Sequence, residues 1–226
     1  LGPGEEDGTC ARRLGEDFRI GEGERQGFDK LSLNGGGSAA MQTPVHPEPV
    51  EGLHLICHPD TPTDAVSSLK ACAKHISASR IEIAFILRGD MQRIKLPDLN
   101  PNQRRDGLWH HTCFEVFLKK ERADNYTEYN LATSGEWAAY FFGDYRSERV
   151  EADVPKPNLI IKLNPFRLFL GAYLSIDAQP LSLAISAVIE EIDGTKSYCA
   201  LAHPPGKPDF HHRDCFALEI APPGIS

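Results

Sequence analysis

The chain of 226 residues is poor in several things that would fix a function at once. It has two methionines and two tryptophans. It has no basic excess: 24 Lys and Arg stand against 32 Asp and Glu, a net charge of −8. That argues against a nucleic-acid partner, because phosphate binding concentrates Lys and Arg on one face. No apolar run approaches the roughly 18–20 residues that cross a bilayer, and the longest, 168–176, is strand-sized. The first residues lack the basic cluster and apolar stretch of a secretory signal. The expected compartment is therefore the cytoplasm. No G-x-G-x-x-G follows an apolar run, so a dinucleotide or flavin fold is not indicated.

The six cysteines are Cys10, Cys57, Cys72, Cys113, Cys199 and Cys215, and no two form C-x-x-C. A zinc ribbon or thioredoxin-type motif is therefore absent. Cys113, Cys199 and Cys215 lie inside apolar runs, and the expectation is small buried thiols in a reducing compartment.

Residues 1–52 differ from the rest. They carry more than half of the 19 glycines and no sustained apolar period, which is the composition of a disordered segment. The stretches 27–33 (GFDKLSL) and 47–53 (PEPVEGL) can be encoded by nearly complementary DNA, as in a short palindromic intergenic repeat. The expectation is that 1–52 is a non-native extension and that translation starts at Met41 or later.

From 53 onward, short apolar runs alternate with turn residues. They cover 53–57, 81–87, 113–119, 126–133, 137–142, 159–163, 167–176, 183–192, 198–202 and 215–220. The stretch 65–77 fits either a helix or a strand, and the surrounding pattern favours a strand. Asn164-Pro165 and Asp193-Gly194 mark hairpin junctions. Ten runs of this length predict an all-β antiparallel two-sheet sandwich over 53–222.

The chemistry-bearing stretch is 108–118, LWHHTCFEVFL. If it is strand throughout, side chains alternate faces. His110, Thr112, Phe114, Val116 and Leu118 then share one face, and His111, Cys113, Glu115, Phe117 and Lys119 the other. The His111, Cys113, Glu115 spacing could hold a metal, but Phe117 and Lys119 beside it suit a packed sheet better, so no metal is assigned. Glu115 then needs a partner or a pocket. The stretch 201–216, with His203, His211 and His212 around Pro204-Pro205-Gly206, is a rigid loop suited to binding or to covering one end of the sandwich.

Several motifs resemble one bacterial family. They are Arg105-Asp106-Gly107-Leu108-Trp109, His111-Thr112-Cys113-Phe114-Glu115-Val116-Phe117, Tyr129-Asn130-Leu131-Ala132, Ser134-Gly135-Glu136-Trp137-Ala138-Ala139-Tyr140, Tyr145-Arg146, and the run from Leu201 to His211. Together they resemble the DOMON-like proteins joined to or named after UDP-N-acetylmuramate dehydrogenase. The resemblance covers about 53–220. It implies the β-sandwich shared by haem- and sugar-binding DOMON domains and family 9 carbohydrate-binding modules. It implies no activity.

A sugar site needs aromatic faces and planar polar groups. Candidate faces are Trp109, Trp137, Tyr140 and Tyr145. Candidate polar groups are Arg105, Asp106, Glu115, Asn130, Glu136, Arg146, His203 and His211. The plain alternative for either tryptophan is core packing or an end-cap. The reading is a non-catalytic module for a carbohydrate or sugar nucleotide, with no membrane or nucleic-acid partner. A haem domain using Met91 with His203 or His211 ranks below it. A glycoside hydrolase would pair Glu115 with Glu136 or with Asp106. An interaction module, docking for instance on a cell-wall enzyme, is the third class.

Overall fold

The computed structural model describes Cys10 and residues 52–98, 103–177 and 179–221. Two antiparallel sheets pack face to face. The first is five-stranded, in the order β1 (Leu53–His54), β3 (Val66–Ser77), β4 (Arg80–Gly89), β10 (Arg167–Ser175), β9 (Asn158–Asn164). The second runs β2 (Ile56–Cys57), β12 (Lys196–Ala200), β11 (Leu181–Glu190), β5 (Cys113–Lys120), β6 (Tyr126–Ala132), β7 (Trp137–Phe142), β8 (Val150–Glu151). β13 (Leu218–Ile220) also joins β11. The all-β sandwich expected from the run spacing is the architecture found. The ambiguous stretch 65–77 is strand, and both hairpin junctions close hairpins, β9–β10 and β11–β12. Among the described residues no helix is long and apolar enough to cross a membrane.

Alternation builds the core. Phe114, Val116 and Leu118 of β5 face inward, as do Leu181, Leu183, Ile185, Ala187 and Ile189 of β11. They meet Ile83, Phe85 and Leu87 of β4 and Leu168, Leu170 and Leu174 of β10. The Phe85 and Phe114 rings, 4.9 Å apart, tie the sheets together. The other face of the larger sheet has its own buried cluster: Cys113, Phe117, Tyr126, Ala138, Tyr140, Phe142, Ala184, Val188, Phe210 and Cys215 among others. All ten residues of β11 are buried. Its outward set of Ser182, Ala184, Ser186, Val188 and Glu190 is therefore covered by something other than the first sheet.

The cover comes from a shared edge. β12 pairs with residues 186–190 of β11 and β13 with residues 181–183, along the same side. The segment between them leaves the sheet and folds over its outer face. There Phe210 and Cys215 are buried, and a short 3-10 turn, Arg213–Cys215, is capped by His212. The run 215–220 is thus part turn and part strand. The run 53–57 is likewise two strands in different sheets. The chain crosses between sheets at Leu55, whose side chain fills the core.

The cysteines depart from expectation at one pair. Cys57 and Cys199 sit opposite each other on β2 and β12 and form a disulfide. Register put their side chains in contact, which apolar context alone does not reveal. Cys72, Cys113 and Cys215 are buried thiols. Of the segment read as an extension, 1–52, only Cys10 and the last residue, Gly52, fall within the described residues. Cys10 is buried against Cys72, Ala84, Ile86 and Phe169 on the outer side of the first sheet.

Candidate ligand-binding site

The outer face of the larger sheet carries a cleft of about 400 Å³. Its floor comes from three adjacent strands. β5 supplies Glu115, β6 supplies Glu128 and β11 supplies Val188, while the buried Asn130 and Ser186 hydrogen-bond Glu128 and Glu115. Cross-strand register sets Glu115 opposite both Asn130 and Ser186, with Glu128 one diagonal step away. Small residues at Ala184, Ser186 and Ala138 keep the floor low. Trp109, Phe142, Tyr198 and Phe210 stand around it, with Arg146, Arg149, Lys196 and His211.

Glu115 is buried and accepts one hydrogen bond, from Ser186 Oγ at 3.2 Å. Burial, reinforced by the Glu128 charge, raises its pKa well above the ordinary range. Burial also raises Glu128, against the hydrogen bond from Asn130 Nδ2 at 2.5 Å and the fields of Arg149 and Arg146. Two carboxylates in one dry floor resist ionising together. Asn130 in turn accepts from the Cys113 thiol at 3.4 Å.

His211 closes one side. Burial, aided by the Arg146 charge, pushes its pKa down to about 4, so it is neutral at ordinary pH. The Tyr126 hydroxyl accepts from the Arg146 N–H and lies 2.8 Å from His211 Nδ1. Donation from that hydroxyl to Nδ1 puts the ring proton on Nε2, 3.8 Å from Glu128 Oε2. Asp209 joins the covering loop to the β7–β8 loop. It accepts from the Tyr145 hydroxyl at 2.5 Å and from Arg146 Nη2 at 2.8 Å.

Trp109 sits on a 3-10 turn, Leu108–His110, opened by Gly107 at φ 78°. The strand begins only at Cys113, so the alternation assumed for 108–112 does not apply. His110 and Glu115, assigned to opposite faces, line the same cleft. Arg149 lies over the Trp109 ring at 4.6 Å and over Tyr140 at 4.4 Å.

The candidates named from sequence divide. Trp109, Glu115, Arg146 and His211 meet at this cleft, and Asn130 is buried beside it, donating to Glu128. Tyr145 lies behind His211 in a neighbouring hollow. Arg105 and Glu136 form an ion pair at 3.2 Å beside a second cleft. Burial opposes Glu136 ionisation, but its Arg105 and Ser134 hydrogen bonds win and its pKa is lowered. Trp137 is core: it is 4% exposed, packs between the sheets, and is covered by Arg104 at 4.4 Å. It faces inward because β7 alternates against Tyr140, which faces the cleft side. His203 is also elsewhere, donating to or accepting nothing from the cleft; its Nε2 binds the Ile56 carbonyl at 2.7 Å.

The donor pairs named for haem do not come together. Met91 is buried between the sheets, whereas His211 is held on the far face of the larger one and His203 by the β2 backbone. The carboxylate pairs named for hydrolysis also separate, since Glu136 is engaged by Arg105 and Asp106 by Tyr140 and Arg149. His111, Cys113 and Glu115 have separate partners in Glu190, Asn130 and Ser186.

Sequence reasoning missed Glu128, Ser186, Arg149, Tyr198 and Phe210. Glu128 was accessible in principle: it shares a face with Asn130 two residues on, and the β5–β6 hairpin brings that face to Glu115. Arg149 and Phe210 lie in irregular segments where no periodicity points.

No protein-family model matches the chain, and no curated protein does. Among solved structures it is similar to one from Bacteroides uniformis described as a "putative carbohydrate-binding protein". The TM-score is 0.56 at 15% identity, over 75% of this chain and 84% of that one. The likeness is one of fold.

Proposed function

We propose that this chain is a non-catalytic carbohydrate-binding module of DOMON-like type, with residues 53–222 as the working unit. The carrying observation is the floor carboxylate Glu115, buried yet holding one hydrogen bond. Even in the protonated form that burial favours, a carboxyl keeps its own O–H and acceptor positions beyond the one that Ser186 fills. Leaving them unpaired in a buried site is costly, so a ligand rich in hydroxyl donors suits this floor. Trp109, Tyr198 and Phe210 give apolar walls for the faces of a sugar ring. Arg146, Arg149 and Lys196 would meet the phosphates of a sugar nucleotide.

Calorimetric titration of free sugars and sugar nucleotides tests this. Binding lost in both Glu115→Gln and Trp109→Ala supports it, while binding indifferent to both defeats it. A hydrolytic reading has one observation in its favour: Glu115 and Glu128 share a floor, and the Glu128 charge adds to the cost of ionising Glu115. Release of nitrophenol from aryl glycosides, abolished in Glu128→Gln, would establish that second reading.

A further inference from the structure

The turn that carries Trp109 has a cleft on each side. The site above lies on one side. On the other is a hollow of about 460 Å³, lined by Lys95, Arg105, His110, His111, Ser134 and Glu136 together with apolar atoms of Leu96, Pro97 and Leu108. Both volumes fall in the roughly 300–1,000 Å³ range of small-molecule sites. The two hollows meet at His110, which lines both. Its side chain is exposed, and no hydrogen bond or ion pair to a described residue occupies it.

The second hollow has its polar groups set in place. Glu136 is buried and fixed by Arg105 and by Ser134 Oγ at 3.0 Å. Glu190 holds His111 Nδ1 at 2.6 Å and Lys95 Nζ at 3.1 Å. Asp106 and Arg149, paired at 3.3 Å, link the rims, because Asp106 lines the second hollow and Arg149 the first. A lone ring in the first cleft would leave Lys95, Arg105, His111, Ser134 and Glu136 without a ligand contact.

We infer that the ligand is an oligosaccharide of at least two units, bound across the Trp109–His110 turn with one unit in each hollow. This rests on the carbohydrate reading above and adds ligand length to it.

The test uses the full chain with glucose, N-acetylglucosamine, xylose and galacturonic acid and the linear di- to tetramers of each, titrated by calorimetry. The expected result is a gain of about tenfold or more in affinity, roughly 1.4 kcal/mol, between monomer and a short oligomer of one series. Arg105→Gln should remove that gain with chain length. Histidine imidazole NMR signals, followed in the unmutated protein, should shift at His111 with the oligomer and not with the monomer. Equal affinity for monomer and oligomer, with His111 unmoved, overturns this inference and leaves the carbohydrate reading standing. Binding of none of these sugars overturns both.

Discussion

Replacing Glu115 by glutamine should stabilise the free protein at alkaline pH while removing its ligand. Glutamine keeps the shape and can still accept from Ser186 Oγ, but it carries no charge into the floor. The sign follows from the direction of the shift. The folded-state pKa of Glu115 is raised above its ordinary 4.5 by burial and by Glu128. Its contribution to stability is fully present below that ordinary value and is lost as pH rises through the folded value. A buried charged group short of partners costs about 1–3 kcal/mol or more. At roughly 2–4 °C per kcal/mol for a domain of this size, the variant should melt about 2–12 °C higher at pH 8. Near pH 4 both proteins carry a neutral group there, and the difference should vanish. Thermal melts by circular dichroism across pH 4–8 measure it. A variant that melts lower at pH 8, or a gap that ignores pH, would mean that Glu115 is already satisfied and that the floor has no vacant acceptors.

The two tryptophans should behave oppositely. Trp137→Ala should cost about 3–5 kcal/mol in chemical denaturation because it empties a core position, whereas Trp109→Ala, on a half-exposed turn, should cost under about 1 kcal/mol and weaken ligand binding. Asp209→Asn should loosen the covering loop, seen as faster amide exchange at residues 209–216, because Asp209 ties Tyr145 and Arg146 to that loop. Reduction of the Cys57–Cys199 bond, 142 residues apart in sequence, should lower stability by about 2–4 kcal/mol, read as a lower melting temperature in dithiothreitol than without it.

The fold was legible because β-strands write themselves as period-two alternation. β5 and β11 show why: each places its apolar residues on one face at every second position, and turn residues mark where they end. The same alternation put Glu115 on the side away from Phe114 and Val116, where it is found. It failed at His110, because Gly107 starts a turn that breaks the period before the strand begins. It left Trp137 open for a different reason. A large aromatic on a strand reads equally as platform or core, and only the partner sheet decides. The site as a whole was half visible. Trp109 and Glu115 lie in one motif, but their partners Glu128, Ser186 and Phe210 come from strands and a loop distant in sequence. Register between strands is a tertiary property, and the Cys57–Cys199 pair was hidden for the same reason.

The account stands on the outer face of the larger sheet being a sugar site. Its most direct test is a crystal structure of the chain grown with the best-binding oligosaccharide. The prediction is a sugar ring packed on Trp109 with a hydroxyl donating to the Glu115 carboxylate. A sugar bound on the five-stranded sheet or at its edge, with Glu115 and Trp109 untouched, would contradict it.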